Sequence, residues 1–181
     1  MRLRNIRELQ LRARWHAQLG HIEQGTYGNG EVNGHAEFRG CAVGCLSTPH
    51  TKNRLIEFLR EHLTPYGGLD NEGQEQREAL TDEFGITTEL VSTVEAIFEA
   101  QPTHGAAIEF VPNFANALTE GAVITDENVA EWLSKHNLAA YEGWNPLYEE
   151  LEPEGDDYIN ELTGEFLEFV GSHNAEQEVP V

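Results

Sequence analysis

Residues 87–100 read TTELVSTVEAIFEA. Leu90, Val91, Val94, Ile97 and Phe98 recur three and four apart, the period of a helix with one apolar face. Ile86 extends that stripe by one turn. Thr87 or Thr88 offers a capping hydroxyl, and Pro102 ends the run. Glu95 and Glu99 stand four apart on this helix. Two carboxylates so placed can act as a pair, but the simpler reading is a solvated helix face.

The same period recurs on both sides. KNRLIEFLREHL aligns Leu55, Ile56, Leu59 and Leu63. It has Ser47, Thr48 or Thr51 as its cap and TPYGG as its stop. TDENVAEWLSKHN starts on Thr125 with Asp126 and Glu127 in its first turn. It ends with Lys135 and His136, the charge order that suits the helix dipole, and buries Val129, Trp132 and Leu133. DDYINELTGEFLEFV aligns Ile159, Leu162, Phe166, Phe169 and Val170. AAIEFVPNFANAL is in phase through Ile108, Val111, Phe114 and Leu118, although Pro112 inside it should break or kink the helix. The N-terminal stretch with Ile6, Leu11, Trp15 and Leu19 also reads as a helix, and it carries Arg2, Arg4, Arg7, Arg12 and Arg14.

Strand signals are sparse. GTYGNGEVNGHAEF (25–38) has hairpin chemistry, with Asn29-Gly30 and Asn33-Gly34 as turn dipeptides. EGQEQREALTDE (72–83) reads as a solvated helix or an ordered insertion. The expected fold is mostly α, a single-domain, bundle-like helical array over 1–172 with a glycine-rich loop or small hairpin before the cysteines. Its core helices fall at 51–63, 86–101, 105–118, 126–137 and 157–170, and an acidic tail at 173–181 frays.

The net charge of −21 is unevenly spread. Residues 1–60 hold nine Lys and Arg against five Asp and Glu, whereas 61–181 hold two, Arg77 and Lys135, against 27. Phosphate binding needs clustered cations, so nucleic acid is excluded except at the Arg-rich N-terminus. That cluster has an acidic excess of its own chain to pair with. The acidity serves solubility, the binding of a basic protein partner, or mimicry of DNA charge. No run of about 18 apolar residues is present, which argues against a membrane span. The N-terminus lacks the apolar region of a secretory signal. Two cysteines are no disulfide framework, and a reducing cytoplasm is the expected compartment.

Those two cysteines lie in FRGCAVGCLSTPH (38–50), where Gly40, Cys41, Gly44 and Cys45 interleave at four-residue spacing. If Gly40 opens a helix, Cys41 and Cys45 share one face, and three chemistries fit. The first is packing, with the glycines letting another helix approach closely. The second is a zinc site, with His50 as third ligand and His35, His16 or His21 as fourth. The third is thiol chemistry, with Cys41 activated in a first turn, Cys45 resolving and His50 or Glu57 handling the proton. No phosphate loop, G-x-S-x-G or H-E-x-x-H is present.

GTY (25–27), GCAVGC (40–45), FGI (84–86, read as F-G-I), IFEAQP (97–102) and FANALTEGAVIT (114–125) occur in an order that resembles an uncharacterised family of small bacterial and phage proteins. The resemblance spans roughly residues 20–135, with the Gly-Cys-Ala-Val-Gly-Cys block its most specific piece. It implies no activity and no catalytic residues. It implies only that the cysteine block and the IFEAQP helix share one fold. The chain departs from that pattern in a longer 28–39 loop, in 51–84, which looks like an insertion, and in Gly28, where an aromatic is expected. The functional expectation is a non-catalytic acidic protein that acts by binding a partner macromolecule. The alternative is a thiol- or metal-dependent protein centred on Cys41, Cys45 and His50.

Overall fold

The structure is a computed structural model that describes residues 1–32, 36–69, 73–138 and 144–175. In chain order the elements are α1 (Ile6–Gln18), β1 (Asn29–Val32), β2 (Ala36–Arg39), α2 (Ala42–Leu46), α3 (Lys52–His62), α4 (Gln74–Phe84), α5 (Thr88–Glu99), α6 (His104–Ala117), α7 (Asp126–Lys135), α8 (Trp144–Leu151) and α9 (Asp156–Gly171). The fold is mostly helical, as periodicity predicts, and β1 and β2 form a two-stranded antiparallel hairpin. Asn29 pairs with Arg39 and Val32 with Ala36, so Asn29-Gly30 lies within a strand rather than at a turn. The other expected turn, Asn33-Gly34, falls outside the described residues, as does most of the 173–181 tail. Among the described residues no helix is long and apolar enough to cross a membrane.

The deciding helix is α5, and it is buried further than its stripe implies. Every residue from Leu90 to Phe98 is buried, including Ser92, Thr93 and Glu95. The reason is position: α2, α4, α6, α7 and α8 all pack against it. A helix enclosed on several sides has no solvated face, and its small polar groups turn inward, as Thr93 does in donating to the Glu89 carbonyl at 2.8 Å. Around α5 the buried side chains form one continuous core. An aromatic set of Phe110, Phe114 and Phe166, with ring centroids 6.1–6.4 Å apart, joins α6 to α9. Trp132 of α7 meets Phe166 edge-on at 5.5 Å.

Three elements, α6, α1 and α4, depart from expectation. α6 runs unbroken through Pro112, which removes one helical hydrogen bond but leaves Phe110, Val111 and Phe114 in the core. α1 buries a different face from the expected one: Ile6, Leu9, Arg12, Ala13 and His16, with Leu19 exposed. This face is tolerated because its polar members are paired. Arg12 reaches Glu8 at 3.3 Å, Glu83 at 3.1 Å and the Leu46 carbonyl at 3.1 Å, and lies over the Phe84 ring. Finally, α4, read as a solvated helix or an insertion, buries Leu80 and Phe84 in the core, where α3 contributes Leu55 and Leu59 as expected.

Candidate functional site

The cysteine block is built differently from a glycine-opened helix. Cys41 is the extended N-cap residue of α2, and the helix begins at Ala42. The glycines admit a chain segment rather than a helix. A Cβ on Gly44 would overlap the Tyr27 carbonyl oxygen, and one on Gly40 would stand 2.8 Å from the same atom. The GTY segment therefore lies directly on the start of α2, tied by the Cys41 amide donating to the Thr26 carbonyl at 2.7 Å. Cys45 is fully buried and donates its thiol to the Gly40 carbonyl at 3.2 Å. Burial pushes the Cys41 thiol up to about 12 and the Cys45 thiol well above its ordinary value. Neither is a thiolate near neutral pH.

The histidines proposed as partners go elsewhere. His50 Nδ1 stands 3.2 Å from Glu8 Oε1, outside hydrogen-bonding geometry. His16 is fully buried, with Nε2 3.1 Å from the Thr48 carbonyl and Nδ1 2.9 Å from His21 Nδ1. A carbonyl only accepts, so Nε2 carries the His16 proton and Nδ1 accepts from His21. Burial holds His16 down at about 3. His35 lies outside the described residues. Among the described residues no group of three or more His, Cys, Asp or Glu could hold a metal ion.

What the structure does assemble here is a cleft of about 310 Å³ lined by Gly25, Thr26, Tyr27, Cys41, Glu95, Glu99 and Trp144. Tyr27 donates its hydroxyl to Glu95 Oε2 at 3.1 Å, and Arg77 of α4 donates to the Tyr27 oxygen at 2.6 Å. Arg77 also reaches both Glu95 oxygens at 3.3 Å and lies over the Tyr27 ring, 5.3 Å from its centroid. Glu95 is 3% exposed. Its burial pushes the carboxyl up to about 7, outweighing the Arg77 charge and the Tyr27 hydrogen bond, which both pull it down. One turn on, both Glu99 oxygens accept from the Gly25 amide at 3.0–3.1 Å. Gly25 has φ of 89°, a left-handed backbone that favours glycine. Gln24 anchors the loop by donating to the carbonyls of Phe98, Glu99 and Gln101, which lie at and beyond the open C-terminus of α5.

Thus Cys41 belongs to the cleft, whereas Cys45 serves packing and His50 lies beside Glu8 of α1. Glu95, expected on a solvated face, is instead its most buried charge. The legible hint was local: the only large polar residue in 90–98 sits among apolar and small residues. Tyr27, Arg77 and Trp144 carry no such hint, because loop docking brings them together. Gly28 has a physical reason to lack a side chain. A Cβ there would overlap the Leu69 side chain, which comes from the 51–84 segment and already fills that space. No known protein family, curated protein or solved structure matches this chain.

Proposed function

We propose that this protein acts by binding a basic partner, and that the cleft beside Tyr27 is where the partner engages. The observation that carries this reading is the charge of the cleft wall: two carboxylates, Glu95 and Glu99, face a single cation, Arg77. Cations are scarce in this part of the chain. Of the two in residues 61–181, Lys135 pairs with Glu131 at 3.3 Å on the far surface of α7. A site short of one positive charge, in an acidic surround, attracts a cation from solution. Thiol catalysis is the weaker reading, because both sulfurs are buried and protonated.

The test separates the site from bulk charge. A fluorescent Lys-rich peptide is titrated at low ionic strength against three proteins. They are the native chain, Glu95→Gln/Glu99→Gln, and Glu127→Gln/Glu161→Gln on exposed helix faces. Each double variant removes two carboxylates and so changes the formal net charge from −21 by the same +2. The cleft variant should bind at least tenfold more weakly than the surface variant. Equal losses, or no binding by the native chain, would refute this assignment.

A further inference from the structure

Resting on that binding role, we infer that the cleft is a receptor for one alkylammonium group, seated between the Glu99 carboxylate and the rings of Tyr27 and Trp144. At about 310 Å³ the cavity lies at the small end of ligand pockets, roughly 300–1,000 Å³, and suits one small amine or one side chain. Its two aromatic walls and adjacent carboxylates are the elements that recognise a cation through ring faces and charge. The molecule uses this chemistry once already, where the Arg77 guanidinium lies over Tyr27 and against Glu95.

The floor of the cleft is a sulfur. Cys41 is 4% exposed and lines the cavity, and its sulfur meets the Gly44 and Val43 backbone amides. Cys45, by contrast, spends its thiol on the Gly40 carbonyl, and its sulfur lies 3.7 Å from the His21 carbonyl. A protonated, polarisable sulfur suits contact with the N-methylene or N-methyl groups of an alkylammonium. A metal ion fits less well. The Glu95 oxygens are held by Tyr27 and Arg77, those of Glu99 by Gly25, and among the described residues no third donor converges. An anion would face two carboxylates.

The charged and titratable groups around Glu95 are Tyr27 from the loop, Cys41 at α2, Arg77 from α4 and Glu99 on α5. Tyr148 of α8 lies near Glu99. With Arg77 the only cation among them, an empty cleft is balanced by a proton on Glu95. An arriving ammonium replaces that proton, so affinity rises with pH through neutrality.

The shared chemistry has two sources, a free small amine and a lysine side chain of a protein, and one experiment divides them. Butylammonium, butyltrimethylammonium and the neutral analogue butanol are titrated calorimetrically into the native protein at pH 6 and pH 8. A Lys-containing peptide and its Lys-acetylated twin are then added as competitors. Both ammonium compounds should bind at least tenfold more tightly than butanol, and more tightly at pH 8. Glu99→Gln should weaken them at least tenfold. Trp144→Ala, at the half-buried start of α8, serves as the second variant should Glu99→Gln fail to fold. Competition by the unmodified peptide alone assigns the group to a protein lysine, and its absence to a free amine. Butanol binding as tightly as the ammonium compounds, or full affinity in a folded variant, overturns the inference. If the peptide binds in a Glu95- and Glu99-dependent way while the ammonium compounds neither bind nor compete, the binding role stands and this inference falls. If neither peptide nor amine binds, both fall.

Discussion

Gly44 and Gly164 make the same residue type do opposite work. Gly44 is packed beneath the Tyr27 carbonyl, where a methyl group overlaps backbone that cannot rotate away. Gly164 lies inside α9 with nothing within 4 Å of an added Cβ. Gly44→Ala should therefore lift the GTY segment from α2 and cost about 2–4 kcal/mol, in the range of overpacked cores. Gly164→Ala should stabilise by about 0.5–1 kcal/mol, because a helix interior favours alanine. Urea unfolding of both variants checks the pair. A Gly44→Ala protein as stable as the native one would contradict the packing of the GTY segment on α2. The sequence already marked Gly40 and Gly44 as close-approach positions. It could not reveal that the approaching group is the backbone carbonyl of Tyr27, because spacing records which face is small and not what covers it.

At the scale of the element, α5 governs how the molecule responds to acid. Enclosure on several sides leaves Glu95 with a carboxyl near 7, against 4.5 for the exposed group. The folded state then holds the proton more tightly than the unfolded chain. Stability from this group is fullest below 4.5 and is lost as pH rises through 7. His16 on α1 has the opposite sign. Its folded value of about 3 lies below the ordinary 6.5, so its contribution is complete above 6.5 and is lost as pH falls toward 3. The two slopes oppose each other between 4.5 and 6.5. Glu95→Gln removes one of them. Its stability should rise relative to the native protein as pH increases from 5 to 7, by up to about 1.4 kcal/mol per pH unit. Parallel stability curves for the two proteins, measured by urea unfolding at pH 5, 6, 7 and 8, would contradict a raised Glu95. The helices at 87–100, 125–136 and 157–170 were legible because three- and four-residue apolar spacing survives any tertiary arrangement. The acid response was not, because the burial of Glu95 depends on α2, α4 and α8 arriving from distant parts of the chain. α8 itself went unread: NPLYEEL offers too short an apolar stripe to stand out.

For the whole molecule, the uneven charge is folded back on itself at the N-terminus. Arg12 pairs with Glu8 and Glu83, Arg4 reaches the Asp82 carbonyl and Arg2 the Gly121 carbonyl. Of these three arginines only Arg12 meets carboxylates, whereas Arg2 and Arg4 are held by backbone carbonyls. The loop over the cleft is tied down differently. Its bonds from Gln24, Gly25 and Tyr27 to α5 span 68 to 77 residues of chain. Contacts so distant in sequence carry a large closure entropy and have no landing place until α2 and α5 are seated together. The segment that completes the cleft should be the last to settle during refolding. Stopped-flow experiments would show helix signal recovering before ligand competence, and simultaneous recovery would argue against this order. The cleft thus acts as a proofreading device: only a chain that has finished folding presents a place to bind.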